Sequence, residues 1–454
     1  MIPKTVLKRT WPLIGLWFVA SQAFAQQSFS LQEAISYGIQ KNVTVKNAEV
    51  DAESANSRIG EIRSIGLPQV NGSLNLLHNP IIQRFFLPAT FGNPNAGPDD
   101  PPIAAKFGVN YSGTASITVN QLLFNATWLL GLKAAEAYRS LAQKQIMQSK
   151  LAVVENVSKA YYGVLIAEER AKILNLNIGR LDSLVRETRI LNQNGFVEKI
   201  DIDRLEVQVN NLKTERQKVQ NLVELSYYLL KFQMGIKLDE PIALADRITD
   251  QNVALIQRDM LIQERNFNYS DRIEYSLLKD QKNLAEMDVT NVRRQYLPTV
   301  AAFGTYGYNI GLDKFKIFTN PWFNSATVGL AFQVPIFDGF QKKYKLQQNQ
   351  FTVKKIDQSM GLLEQSIDLQ VKSASVGITN GLETLKTQKR NLELSQEIVR
   401  VSKIKYKSGT GSNIEVLNAE SSLKESQTNY FAALYDLLLS KVDLDKARGQ
   451  LLLK

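Results

Sequence analysis

The chain is 454 residues long, with 54 Lys+Arg against 44 Asp+Glu, 44% hydrophobic and 22% charged residues, one His and no Cys. These fractions exclude wholesale disorder, and the missing cysteines exclude a disulfide framework, thiolate zinc sites, thiol nucleophiles and a lipidated N-terminal Cys. A single His excludes a multi-His metal centre, and the formal charge of +10 does not indicate nucleic acid, because no Arg-rich arm or dense basic cluster occurs.

In chain order, Lys4, Lys8 and Arg9 precede an apolar run from Trp11 to Ala20, followed by Ala23-Phe24-Ala25. This is the pattern of a secretory signal peptide, residues 1–25, cleaved after Ala25. Those three bases leave with no acid, so the formal charge falls from +10 to +7. The run is shorter than the ~20 residues a spanning helix needs, and no later stretch is as long and apolar. The pattern predicts an exported chain, and the absence of Cys fits a bacterial envelope.

A helical run from Leu31 to Ile65 ends at Leu67-Pro68. Val70 to Leu76 reads as a strand, and residues 79–108 read as a loop with six prolines. In the next stretch Tyr111, Gly113, Ala115, Ile117 and Val119 share one face, and Ser112, Thr114, Ser116, Thr118 and Asn120 share the other. That is strict strand alternation. No proline falls between 103 and 240 or after 335, so both regions can hold long helices. In the first, Val153, Val157, Ala160, Val164, Ala167, Ala171, Leu174, Ile178, Leu181 and Val185 form a heptad seam. A shift of 214 residues gives the same seam, from Ile367 to Val399, with Gly381, Gln388 and Ser395 as smaller or polar substitutes. Each region predicts a long helix, a turn and a return helix, the first arm running from about Asn125 to Asn192 and spanning ~100 Å. The turns are Gln193-Asn194-Gly195-Phe196 and Lys407-Ser408-Gly409-Thr410-Gly411, and Gly235 and Gly449 end the return helices. Between the two regions, Asp271 to Tyr296 predicts a helix ending at Leu297-Pro298, and Val300 to Asn309 and Ala326 to Val334 predict strands.

The organisation expected is therefore a signal peptide (1–25), a first repeat (26–240), a linker (241–270) and a second repeat (271–454). Four strands with one apolar face suit a membrane β-barrel and equally a half-buried soluble sheet. Four strands cannot close a lumen, and open edges are not tolerated in lipid. Either several chains share one barrel or the sheet is soluble.

These residues, taken together, resemble the outer-membrane factor family of TolC-type channels. The carriers are Ser30-Leu31-Gln32-Glu33-Ala34-Ile35, the two Leu-Pro junctions, Gln121-Leu122-Leu123-Phe124 and its counterpart Val334-Pro335-Ile336-Phe337-Asp338-Gly339. Ser408-Gly409-Thr410 with Ile414-Glu415-Val416-Leu417-Asn418-Ala419 completes the set. The resemblance implies a mainly α fold with a membrane β part: a trimeric α-barrel of coiled-coil hairpins and a shared twelve-strand β-barrel, four strands per protomer. It implies a homotrimer in outer-membrane lipid with helices in the periplasm. Such a protein is a passive conduit of a tripartite efflux or type I secretion system, fed by a periplasmic adaptor (membrane fusion protein) and an inner-membrane pump. It is not an enzyme, needs no cofactor or metal and binds no nucleic acid.

For sites, the resemblance places adaptor docking at the tips: Asn194, Gly195, Phe196, Ser408, Gly409, Thr410 and Gly411. Acidic rings near the aperture are expected from Glu415, with Asn418 at a second position usually acidic, and from Asp201 and Asp203 of the first hairpin. Where some members carry a gating Arg, this chain has Gly411. Gly195 to Leu205 spans ten positions and Gly409 to Leu417 eight, which predicts a longer first turn. Acids at a helix start are also favoured by the dipole alone. The competing class is a periplasmic coiled-coil adaptor or scaffold. No P-loop or nucleophile elbow accompanies the helices, and Asp338-Gly339-Phe340 matches a kinase motif without its partners.

Overall fold

The computed structural model describes residues 27–247 and 268–451. The expected signal peptide lies outside the described residues, as do positions 248–267 of the expected linker.

Strand β1 (Gln27–Phe29) pairs in parallel with β6 (Ile242–Leu244), tying residues 27–29 to the middle of the chain. Helix α1 (Leu31–Lys41) begins with a capping box: Glu33 N donates to Ser30 Oγ at 3.3 Å, and Ser30 N donates to Glu33 Oε2 at 2.8 Å. The bond from Ser30 N holds the Glu33 carboxyl below the ordinary range. The single helix expected over 31–65 is two, because Asn42 leaves helical geometry and caps α2 (Val43–Ser64) through Thr44 N at 2.8 Å.

The four long helices are α3 (Ala126–Gln193), α4 (Lys199–Met234), α6 (Gln341–Lys407) and α7 (Asn413–Ala447), with α5 (Ile273–Arg294) preceding the second pair. At 68 residues α3 is about 100 Å long. The expected seams pack as heptads require: nine of the ten first-seam positions are buried, with Ala171 half-buried, and no second-seam position is exposed. Ile378 and Leu437, each fully buried, hold the second hairpin, each contributing about 2 kcal/mol. Around the fully buried Tyr161, the first hairpin meets β1 and α1. Tyr161 Oη lies 2.9 Å from both Phe29 O and Asp246 Oδ2, and burial, then Asp246, pushes its pKa up.

The two halves repeat each other at their caps. Gly195, Gly235, Gly409 and Gly449 all have φ between 71° and 78°. Each is followed by the same 6→1 bond, from Phe196 N to Leu191 O, Ile236 N to Lys231 O, Thr410 N to Lys405 O and Gln450 N to Asp445 O. Asn42 Nδ2 donates to Gln233 O at 2.8 Å, and Arg272 Nη1 donates to Ala447 O at 2.9 Å. Positions 233 and 447 are again 214 apart.

The sheet is antiparallel, in the order β2 (Gln69–His78), β5 (Tyr111–Phe124), β7 (Thr299–Leu312), β8 (Phe323–Gln333). Its register puts Leu74, Ala115 and Tyr308 in one row and Ser73, Ser116, Gly307 and Ser325 in the next. Residues 79–108, expected as a plain loop, contain a hairpin of β3 (Arg84–Leu87) and β4 (Ile103–Lys106). Period-2 alternation does not mark strands of four residues.

Candidate functional site

The sheet has two chemically distinct faces. One carries Ile117, Tyr306, Val328, Leu330 and Phe332, all exposed, with Val328 at 86%. Among the described residues, no helix makes extended contact with the sheet. The other face is a polar ladder: Ser73 Oγ to Ser116 Oγ at 2.9 Å, Thr118 Oγ1 to Thr305 Oγ1 at 3.1 Å, and Asn309 Nδ2 to Ser325 Oγ at 2.9 Å. An uncovered apolar face with a polar face behind it is the wall of a membrane β-barrel. A half-buried soluble sheet would show the reverse, its apolar face covered. Among the described residues the edges β2 and β8 pair with no further strand, so one chain leaves the sheet open. Among the described residues, no helix is long and apolar enough to cross a membrane.

The far ends of the hairpins form the second part. At the first tip, Asn194 caps α3, its Nδ2 bonded to Ile190 O at 2.8 Å, and Phe196 is 77% exposed. At the second, Ser408 Oγ bonds Lys405 O and Thr410 Oγ1, both at 3.0 Å. A Cβ on Gly195 or Gly409 would meet nothing within 4 Å, so both glycines face open space. Gly411 differs, because a Cβ there would lie 2.8 Å from Lys405 Cβ and 3.2 Å from Lys405 C. A larger residue at 411 would displace the turn.

The first turn is not longer than the second. Both have three residues from the left-handed glycine to the next N-cap, Gly195 to Glu198 and Gly409 to Ser412. Leu205 corresponds to the buried Ala419 rather than to Leu417. In this alignment Asp201 and Glu415 are equivalent third helical positions.

Glu415 is exposed, with its backbone N bonded to Ser412 Oγ at 3.3 Å. Asp203 and Asn418, also exposed, both line a groove of about 480 Å³ between α4 and α7. Asp201 plays another part. Its carbonyl and its carboxylate accept from the buried Asn413 Nδ2 at 2.8 and 3.2 Å, and Arg204 lies 3.7 Å away. It joins the two tips.

Further cross-hairpin contacts went unmarked in the sequence. Lys407 Nζ meets Glu187 at 3.1 Å, and the buried Thr188 and Tyr406 hydroxyls are 3.2 Å apart. Nearby, the buried Glu420 carboxylate is paired with Lys403 at 2.7 Å and Arg180 at 3.2 Å, and Asn177 Nδ2 donates to Gln427 Oε1 at 2.7 Å. The repeat carries one available signal: Arg189 and Glu206 form an ion pair, and the shift of 214 maps them onto Lys403 and Glu420. His78 stacks on Tyr111 at 4.4 Å and lies 3.2 Å from Asn110 O, a packing role.

The profile of the outer membrane efflux protein family matches residues 34–228 and 280–450. Outer membrane protein TolC of Vibrio cholerae is 22% identical over 346 residues, 74% of this chain and 77% of that protein. TolC of Escherichia coli K12 is 20% identical over 474 residues, covering 98% of this chain and 87% of that protein. The crystal structure of the outer membrane protein VceC from Vibrio cholerae superposes with a TM-score of 0.70 at 14% identity, covering 92% of this chain and 96% of that one. With hairpins of this length joined to a sheet of this polarity, and a profile matched across both repeats, the chain belongs to the outer membrane efflux protein family.

Proposed function

We propose that three copies of this chain close one twelve-strand barrel in the outer membrane and continue it through the periplasm as a helical tunnel. The observation that carries this reading is the four-stranded sheet: its apolar face is exposed at Ile117, Tyr306, Val328, Leu330 and Phe332, its other face is polar, and neither edge is paired among the described residues. A free edge in hydrocarbon leaves backbone groups unpaired at several kcal/mol each, and joining β8 of one copy to β2 of the next removes every edge. The mature chain is two versions of one unit, 26–240 and 271–454, linked by 241–270. A tripartite efflux system supplies the energy through an inner-membrane pump and a periplasmic adaptor, and this chain is the passive outer conduit that catalyses no reaction. The adaptor docks on Asn194, Gly195, Phe196, Ser408, Gly409, Thr410 and Gly411, whose outward-facing turns support that role. Glu415, Asp203 and Asn418 line the aperture, and Asp201 ties the hairpins behind it. The test is conductance: purified trimer in a planar bilayer is expected to give cation-preferring channels, and a silent bilayer contradicts the reading.

A further inference from the structure

The periplasmic end of the sheet carries a second chemistry in one repeat only. Around the helix-to-strand junctions of the second repeat, residues 292–298 and 335–347 hold five bases, Arg293, Arg294, Lys342, Lys343 and Lys345, against one acid, Asp338. The equivalent windows of the first repeat, 62–68 and 121–133, hold only Arg63 and Lys133. The pairing of Thr299 with Gln333 sets the two second-repeat segments side by side at one end of the sheet. Lys342 Nζ sits 4.9 Å from the Tyr296 ring centroid and 3.4 Å from Asp338, which neutralises it. Arg293, Lys343 and Lys345 are exposed and form no ion pair among the described residues.

Beside these bases the chain displays highly exposed apolar side chains. Ile336 is 95% exposed and Phe337 75%. Phe340, with φ +66°, is the one non-glycine residue of positive φ among the described residues. This costly conformation holds its ring in contact with Phe337, centroids 5.5 Å apart, and under Lys343 Nζ at 5.7 Å. Val334 and Ile336 continue in sequence the even-numbered positions of the bare apolar face.

We propose that Arg293, Lys343 and Lys345, with Phe337 and Phe340 inserted beside them, form a binding site for the phosphate headgroups of anionic phospholipids in the periplasmic leaflet of the outer membrane. Charge complementarity and continuity with the lipid-facing surface select this occupant. Aromatic and basic side chains at the headgroup level are the chemistry that recognises it. The first repeat lacks the bases, so each protomer carries one such site. The proposal rests on the barrel reading above.

The test is native mass spectrometry of detergent-purified trimer exposed to equal amounts of phosphatidylglycerol and phosphatidylcholine. Each base near an anionic surface is worth about fivefold. A preference for phosphatidylglycerol of about tenfold or more is expected at low salt. Arg293→Ala with Lys343→Ala and Lys345→Ala is expected to reduce it to within about twofold. Lys343→Arg with Lys345→Arg is expected to keep it, as is removal of three exposed helix bases elsewhere, Lys218→Ala, Lys372→Ala and Lys386→Ala. Equal retention of the two lipids by the unmodified trimer, or an undiminished preference in the first triple variant, overturns the headgroup site alone. Retention of neither lipid overturns it together with the barrel reading.

Discussion

Gly409 and Gly449 end helices in the same way, with φ of 74° and 71° and the same pair of capping bonds, so alanine at either position meets the same backbone penalty. A left-handed residue with a Cβ costs roughly 1–2 kcal/mol. The surroundings separate them. A Cβ at 409 enters open space, whereas at 449 it would lie 2.5 Å from Asp271 O and 3.0 Å from Asp271 C. Those are backbone atoms of the 3-10 turn Tyr269–Asp271 just before α5 and cannot rotate away. Overpacking of this kind adds about 1–3 kcal/mol, so Gly449→Ala is expected to cost about 2–5 kcal/mol against about 1–2 for Gly409→Ala. Because such assemblies unfold irreversibly, the readout is the half-life of the folded trimer at one fixed high temperature. The extra 1–3 kcal/mol corresponds to roughly a 5- to 150-fold shorter half-life for Gly449→Ala. Export is expected to divide the other way: a charged side chain, Gly409→Arg with Gly195→Arg, abolishes adaptor-dependent export while the trimer remains. Equal half-lives for the two alanine variants would refute the steric reasoning, and unchanged export in the double arginine variant would refute docking at the tips.

Three further outcomes follow from named contacts. Removing Arg180 and Lys403 together strands the Glu420 carboxylate, which is 3% exposed, and is expected to cost about 3–5 kcal/mol; Glu420→Gln frees two half-exposed bases to reach water and is expected to cost less. Comparing thermal half-lives of the two variants checks the order, and the reverse order contradicts the assignment. Burial disfavours ionised Glu155, but hydrogen bonds from Lys446 and Lys159 outweigh it and hold its pKa below the ordinary value of 4.5. Its stabilisation is therefore complete above about pH 4.5 and lost as pH falls through the lowered folded pKa, so the stability gap between wild type and Glu155→Gln is expected to close on acidification; a gap constant down to pH 3 contradicts it. At the aperture, Glu415→Gln with Asp203→Asn is expected to lower cation preference in single-channel recordings and weaken block by a trivalent cation from the periplasmic side, whereas unchanged selectivity removes both residues from the pore lining.

Much of the fold was legible because its repeating units are long. The heptad seams needed only period 3.5 sustained over five heptads, and all twenty positions are at least partly buried. The four turn glycines were legible because a helix end of this type needs φ > 0. Short-range signals failed in two places. Asn42 breaks a continuous helical pattern by capping the next helix, and β3 and β4 are too short for alternation to register. The two turns look unequal in sequence because Leu205 and Leu417 look alike, whereas the 214-residue repeat and burial pair Leu205 with Ala419. Asn194 to Phe196 and Ser408 to Gly411 lie in the turns between the long helices. What joins the hairpins was not visible, since Asp201–Asn413 and Arg180–Glu420 are separated by 212 and 240 residues and no local pattern links them. Phe340 is a further case: nothing in a three-letter motif announces a left-handed phenylalanine.

The central claim is that β8 of one copy pairs with β2 of the next. The chain has no Cys, so an engineered pair reports without background. Ser73→Cys on β2 is combined in turn with Ser325→Cys, Thr327→Cys, Gly329→Cys and Ala331→Cys on β8, all on the polar face, and each variant is oxidised in membranes and run under denaturing conditions. Closure by three copies predicts one register of efficient cross-linking, with bands at two and three chains and none larger. Monomer at every register, or a ladder continuing beyond three, would contradict it.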